Sequence, residues 1–162
     1  MHSLLAISCV FICLATSFAF HVKNDTPYTF KQGEKEFLLN PQKMTFSEAN
    51  DYCKSVNLEL AAIESAAEDD KIFYALSYLG LFPAPKAFWT AGTKLASTNK
   101  WVWLTTNKVI GYFNWGDGEP SNKDGNEFCI ATHPDNYYST GYWTATDCNS
   151  LAFPICQTVS QN

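Results

Sequence analysis

Two groups of side chains in this sequence could do chemistry: its cysteines and an acid-rich polar loop. The chain has six cysteines, and Cys9 and Cys13 lie in an apolar N-terminal stretch. The remaining four are Cys53, Cys129, Cys148 and Cys156. One pair could close a long loop and the other a short loop nested inside it, but four cysteines allow three pairings. An even number in an exported chain indicates disulfides rather than thiol chemistry.

The polar loop, residues 114–126, carries carboxylates that a catalytic or metal site would use. It is too long and too polar for a simple hairpin turn, which indicates a functional loop or a disordered one. Glu119 and Glu127 are the only candidate pair for a glycosidase, which needs two carboxylates flanking the scissile bond. Acids on a polar loop are more often simply solvated, so we expect no enzyme. Zinc has little support, because only His21 and His133 follow the apolar stretch.

The apolar N-terminal stretch, residues 4–20, contains no charged side chain. Ser17 and Ala19 place small residues at the −3 and −1 positions of a cleavage site. We therefore expect residues 1–19 to be a signal peptide and the protein to be secreted and extracellular. The alternative is a signal-anchor helix, because the stretch is just long enough to cross a thin bilayer.

The expected mature chain, residues 20–162, has the length of one domain. The formal net charge of −5 lies entirely in this part. Nucleic acids and anionic membranes both require a basic face, so we expect no nucleic-acid partner and no membrane insertion after leader removal. Asn24 begins an Asn-Asp-Thr sequon, which makes it a candidate N-glycosylation site.

The first part of the mature chain predicts one strand and two helices. Residues 35–39 form the strand candidate. Two capping boxes, Thr45 with Glu48 and Ser65 with Glu68, mark the starts of the helices. Behind the first box, apolar residues recur at helical spacing and predict a buried face: Phe46, Ala49, Cys53 and Val56.

After the second helix, which we expect to end at Gly80, short aromatic and β-branched runs alternate with polar loops. These runs predict strands at residues 88–91, 101–103, 128–132, 142–144 and 153–156. Helices first and strands afterwards indicate an α+β fold, with two helices packed on antiparallel sheets and a long irregular loop region.

Five tryptophans among 15% aromatic residues predict a dense aromatic core. The side chains expected to be largely buried are Phe46, Trp89, Trp101, Trp103 and Trp115. Tyr137 and Tyr138 lie on a second polar loop and are expected to be more exposed. Tyrosines of this kind offer apolar area and a hydroxyl at low entropic cost, as in protein-binding surfaces.

The order of these motifs resembles the C-type lectin domain family, in a short, secreted, arthropod-like form. The matching fragments are Phe46-x-x-Ala49-x-x-x-Cys53, Phe88-Trp89-Thr90-Ala91-Gly92, Trp101-Val102-Trp103, Tyr112-x-x-Trp115-x-x-Gly118-Glu119-Pro120, Glu127-Phe128-Cys129 and Trp143 with Cys148 and Cys156. The resemblance covers residues 28–157, the core of a single domain over residues 20–162. It implies the disulfides Cys53–Cys156 and Cys129–Cys148.

The resemblance also implies a calcium-dependent sugar site, of which this sequence keeps a part. In sugar-binding members, a Glu-Pro-Asn loop, a downstream Glu and a Trp-Asn-Asp strand hold one calcium ion that the sugar also coordinates. Glu119 and Glu127 match, but Ser121 replaces the loop Asn, and Thr144 and Ala145 replace the strand pair.

Calcium requires six to eight oxygen ligands, so we expect a degenerate metal site on Glu119, Glu127 and Ser121. With Thr144, these residues form the candidate carbohydrate site. Four further polar residues could support a shifted, weak ion: Asp117, Asn122, Asp124 and Asn126.

Two functions remain open. The first is a secreted carbohydrate-recognition protein with a degenerate calcium and sugar site, of the kind used in immune recognition of microbial surface glycans. Its preference between mannose-type and galactose-type sugars is not resolved. The second is a protein-binding domain on the same scaffold, without calcium-dependent sugar binding. Glu119 and Glu127 favour the first function, and Thr144 with Ala145 favours the second.

Overall fold

The fold is an α+β arrangement in which two helices pack against a multi-stranded sheet. The computed structural model describes residues 26–78, 86–123, 125–135 and 140–159. The elements are β1 (Tyr28–Gln32), β2 (Lys35–Leu39), α1 (Phe46–Ser55), β3 (Glu59–Leu60), α2 (Ala66–Tyr78), β4 (Phe88–Leu95), β5 (Lys100–Trp103), β6 (Glu127–Pro134), β7 (Gly141–Asp147) and β8 (Phe153–Gln157). Several residues with predictions attached lie outside the described ranges: residues 1–19, Asn24, Gly80, Asp124, Tyr137 and Tyr138.

The first helix begins where the capping box places it. The backbone N–H of Thr45 donates to Glu48 Oε2 at 2.8 Å, and the Glu48 N–H donates to Thr45 Oγ1 at 3.4 Å. Phe46, Ala49 and Cys53 are buried as their spacing predicts. The prediction that Val56 is buried on the same face is wrong. The helix ends at Ser55, and Val56 is 38% exposed.

The second capping box forms only in part. The N–H of Glu68 donates to Ser65 Oγ at 3.3 Å, as predicted. The Glu68 carboxylate, however, accepts from the N–H of Glu64 at 3.0 Å. Its other oxygen is 2.6 Å from Lys35 Nζ. Glu68 therefore links the start of α2 to β2 in addition to capping the helix.

The sheet runs in the order β1-β2-β8-β4-β6-β7, with β3 paired to β8 and β5 paired to β4. Each predicted strand is present, with β4 extending to Leu95 and β7 to Asp147. The pairings are antiparallel except that of β4 with β8, which is parallel. The sheet is therefore mixed at its centre, although antiparallel pairs dominate it. Of the two helices in the described residues, neither is long and apolar enough to span a membrane.

Two disulfides connect these elements, with the pairing that the family resemblance implies. Cys53 in α1 is bonded to Cys156 in β8 across 103 residues of sequence. Cys129 in β6 is bonded to Cys148, which follows β7, across 19 residues. In the chain-entropy model, such loops stabilise the fold by roughly 4–5 and 3 kcal/mol. The first bond attaches α1 to the sheet, and the second holds the end of β7 against β6.

The aromatic core contains most of the predicted side chains. Phe46, Trp89, Trp101 and Trp103 are at most 8% exposed. The expectation for Trp115 is wrong, because its side chain is only partly buried. Trp115 lies at the rim of the core, where its ring stacks on Phe113 at 5.5 Å and contacts Trp101 at 5.1 Å.

We expect Trp89→Ala to lower the free energy of unfolding by roughly 3–5 kcal/mol. Trp89 is fully buried, packs edge-on against Phe46, and donates from Nε1 to the Met44 carbonyl at 2.8 Å. Leu151→Ala is the control, because Leu151 is 60% exposed and should change stability by no more than about 0.5 kcal/mol. Chemical denaturation measures both variants, and equal losses would contradict the assignment of Trp89 to the core.

Candidate functional site

The first limb of the long loop, residues 114–119, lies against β7. The N–H of Trp143 donates to the Asn114 carbonyl at 2.7 Å, and the N–H of Gly116 donates to the Trp143 carbonyl at 2.9 Å. These two bonds align the chain around Trp115 with β7, as a parallel bridge between Trp115 and Trp143. The loop is therefore attached to the sheet before it reaches Glu119.

A buried carboxylate on α2 holds the base of this loop. Asp69 is fully buried and accepts three hydrogen bonds, from Tyr112 Oη at 3.0 Å, Asn114 Nδ2 at 2.7 Å and Trp143 Nε1 at 3.1 Å. Burial raises the pKa of Asp69, while the three hydrogen bonds favour its charged form and act in the opposite direction. The carboxylate tolerates burial because each neighbour supplies a donor. Asp69 thereby joins α2, the loop and β7 at one point.

Glu119 forms a second attachment between the loop and β7. It follows the turn at Gly118 and precedes Pro120 through a cis peptide bond. Glu119 Oε2 accepts from the N–H of Ser121 at 3.1 Å and from the N–H of Ala145 at 2.9 Å. The carboxylate thus bonds to the backbone at the position where the family's strand Asp would stand.

Glu127 forms hydrogen bonds with the part of the loop that follows Pro120. Its Oε2 accepts from Ser121 Oγ at 3.0 Å and from the N–H of Lys123 at 2.9 Å. Its own N–H donates to Asn122 Oδ1 at 3.1 Å. Glu119, Ser121 and Glu127, three of the four predicted site residues, therefore lie together, with Ser121 bonded to both carboxylates.

Thr144, the fourth predicted site residue, has different partners. Its Oγ1 lies 2.9 Å from His133 Nε2 and 2.8 Å from Thr146 Oγ1. Burial lowers the pKa of His133, against the opposing effects of a hydrogen bond with the Lys86 backbone and the charge of Glu119. The lowered pKa favours the neutral imidazole, whose Nε2 shares a hydrogen bond with the Thr144 hydroxyl. This contact between His133 and Thr144 was not predicted from the sequence.

These residues do not fit a lectin-type calcium site. Ala145 is 4% exposed and belongs to the core, so its side chain offers no ligand. Asn126 donates to Asp147 at 2.7 Å, and Asn122 already accepts from Glu127. Across residues 26–78, 86–123, 125–135 and 140–159, no group of three or more His, Cys, Asp or Glu side chains is placed to hold a metal ion. The donors around the loop carboxylates are N–H and O–H groups of the protein itself.

An open cleft of about 540 Å³ lies between the first limb of the loop and β7. The residues that line it include Trp115, Gly116, Asp117, Glu119, Tyr142 and Thr144. Ser121 and Glu127 are not among the lining residues that the structure describes, so the predicted carbohydrate residues divide into two pairs. Glu119 and Thr144 border the cleft, whereas Ser121 and Glu127 are hydrogen-bonded within the loop.

Tyr142 is a lining residue that was predicted to lie in a strand but was not among the predicted site residues. It pairs with His133 across β6 and β7, and its ring stacks on the imidazole at 5.2 Å with an interplanar angle of 12°. The only available signal was strand alternation, which places Tyr142 and Thr144 on the face of β7 opposite Trp143.

Comparison with known proteins identifies the family of this chain. The family model described as "Lectin C-type domain" matches residues 42–158. E-selectin of Oryctolagus cuniculus is 31% identical over 124 residues, which are 75% of this chain and 21% of that protein. C-type lectin mosGCTL-7 of Aedes aegypti is 22% identical over 125 residues, which are 76% of this chain and 83% of that protein. The solved structure titled "SPL-1 - GlcNAc complex" has a TM-score of 0.67 at 24% identity and covers 82% of this chain and 93% of its own. The chain matches about a fifth to a quarter of the length of the first E-selectins.

We expect Asp69→Ala to lower the free energy of unfolding by roughly 3 kcal/mol or more, because it leaves the buried Trp143 Nε1 without its acceptor and removes one of the two acceptors of Asn114 Nδ2. Asp69→Asn should lower the free energy of unfolding by a smaller amount, because the amide keeps one acceptor oxygen. Some loss should remain, because its NH₂ group then faces these donors. Asp70→Asn is the matched control, because Asp70 is the exposed neighbour on the same helix. Urea denaturation compares the three variants, and a loss for Asp69→Ala no larger than that for Asp70→Asn would show that the network does not stabilise the fold.

Proposed function

Since the chain belongs to the C-type lectin domain family, we propose that it is a secreted carbohydrate-recognition protein whose glycan binding does not require calcium. Its proposed role is immune or surface-glycan recognition. The observation that carries this proposal is the open cleft beside the long loop, bordered by Glu119 and Thr144. These are two of the positions at which sugar-binding members of the family place their binding residues.

The independence from calcium is supported by the partners of the loop carboxylates. Glu119 and Glu127 each direct one oxygen at two hydrogen-bond donors of the protein. Calcium binds through six to eight oxygens, with the carboxylates contributing most to its affinity. Thr144 and Ala145 supply neither a carboxylate nor an amide carbonyl in their side chains. The loop is thus held by hydrogen bonds at the place where an ion would hold it.

The relatives support a glycan as the ligand. The SPL-1 structure is titled as a GlcNAc complex, and the Aedes aegypti relative of similar length is named a C-type lectin. Secretion is supported by the apolar leader, residues 1–19, and by the two disulfides, since disulfides persist in oxidising compartments. The acidic net charge of −5 agrees with a partner that is not a nucleic acid.

The second candidate function, binding of a protein ligand, is favoured by the exposed aromatic rings near the cleft. Phe113 is 39% exposed and Tyr142 is 46% exposed, and exposed aromatic side chains are enriched at protein interfaces. A protein partner would use these rings without requiring the polar lining of the cleft.

A glycan array probed in calcium and in chelator tests the proposal. We expect the same glycans to bind in both conditions, with signals that agree within about twofold, because the site contains no metal-dependent contact. Glu119→Ala should reduce binding in both conditions, because it removes the bond between the loop and Ala145. Glu36→Ala is the control, since Glu36 lies in β2 with its side chain 42% exposed.

Two outcomes would overturn the proposal. If chelator abolishes glycan binding, the independence from calcium is wrong. If no glycan binds in either condition, the protein-binding alternative replaces carbohydrate recognition.

A further inference from the structure

The cleft beside the loop is lined by an aromatic side chain, Tyr142, that is packed against a neighbour and partly open to solvent. The Tyr142 ring stacks on His133 at 5.2 Å and nearly parallel, at 12°. The imidazole thus supports one face of the ring, while 46% of Tyr142 stays exposed. The exposed part of the Tyr142 side chain lines the cleft.

Gly116 of the loop lies close against the Tyr142 ring. A Cβ on Gly116 would lie 2.7 Å from Tyr142 Cδ2, which is too close for any side chain without displacement of the ring. Gly116 is itself bonded to β7 through the Trp143 carbonyl at 2.9 Å. Tyr142 therefore loses little conformational freedom when a ligand binds, which favours affinity.

Polar groups border the same aromatic face. Asp117 is exposed, and Glu119 and Thr144 line the cleft beside it. A pyranose ring has an apolar face of C–H groups and a rim of hydroxyls. The C–H face stacks on an aromatic ring, and the hydroxyls donate to carboxylates at its edge. The cleft places an aromatic ring and carboxylates side by side. A purely apolar ligand would make no use of the carboxylates.

The charge of the cleft selects among saccharides. Among the described residues that line it, Asp117 and Glu119 are acids and none is Lys or Arg. A sialylated or sulfated sugar would bring its negative charge next to these carboxylates, which is unfavourable. A neutral saccharide encounters no such repulsion.

We propose that Tyr142 is the stacking platform of a subsite for the pyranose ring of a neutral saccharide, with Asp117 and Glu119 accepting hydrogen bonds from its hydroxyls. This inference rests on the proposed function and assigns its ligand class and its principal contact. Binding at this subsite requires no metal ion.

The test measures sugar binding to the full chain in chelator, by titration followed through tryptophan fluorescence, because Trp115 lines the cleft. The probes are N-acetylglucosamine, methyl α-mannopyranoside and methyl β-galactopyranoside, with 3′-sialyllactose as the anionic counterpart. We expect at least one neutral probe to bind and 3′-sialyllactose to bind about tenfold more weakly or not at all. Tyr142→Ala should weaken the binding of the neutral probe by about tenfold or more, a loss of about 1.4 kcal/mol.

Three matched variants separate stacking from general damage. Tyr142→Phe keeps the ring and should bind within about threefold of the natural protein. Tyr74→Ala removes a tyrosine that is 57% exposed on α2 and lies outside the cleft, so binding should be unchanged. Asp117→Ala alters an exposed side chain and should weaken binding with the fold intact, which provides a second test if Tyr142→Ala unfolds.

The outcomes distinguish this inference from the proposed function. If the array shows glycan binding in chelator but Tyr142→Ala and Asp117→Ala bind the neutral probes as well as the natural protein does, the subsite is wrong and the proposed function stands. Tighter binding of 3′-sialyllactose than of the neutral probes overturns the ligand class. Binding of the neutral probes only in calcium overturns the metal-free subsite. If no sugar binds in any condition, the proposed function fails and the subsite fails with it.

Discussion

The three hydrogen bonds to the buried Asp69 carboxylate are the interaction on which the functional face depends. They bring Tyr112, Asn114 and Trp143 to one point on α2. The loop and β7 therefore share one anchor, which fixes their relative position. A buried carboxylate lacking one of these donors would be strongly destabilising, so the native fold requires all three contacts.

From this anchor, the loop is stabilised by a chain of carboxylate contacts. Glu119 bonds to the N–H of Ala145 in β7, and Ser121 connects Glu119 to Glu127. Hydrogen bonds to charged groups contribute about 1.5–3 kcal/mol each. The loop of a calcium-binding lectin is crosslinked by its ion, whereas this loop is crosslinked by its own backbone and hydroxyl donors. The same set of bonds leaves Thr144 and Tyr142 on the cleft side of β7.

The sequence predicted the elements better than the contacts between them. Capping boxes and apolar spacing located α1, because these signals are local, and the aromatic runs located the strands from β4 onward. The first strand, β1, was missed because half-buried and exposed residues alternate along it, with none fully buried, and because it pairs at the sheet edge. Asp69 lies between Glu68 and Asp70, and three consecutive acids predict a solvent-exposed part of a helix. Its burial depends on donors that arrive from distant parts of the chain. The stacking of Tyr142 on His133 depends in the same way on the register of β6 with β7, which the sequence does not encode locally.

We propose that internal hydrogen bonds hold the long loop without an ion. Thermal melting of the natural protein in millimolar calcium and in chelator tests it most directly, because a ligand that binds only the folded state raises its stability by RT ln(1 + [L]/Kd). With no calcium site of useful affinity, we expect the two melting temperatures to agree within about 1 °C. A rise of several degrees in calcium, reversed by chelator, would show that the folded loop binds the ion and would contradict the claim.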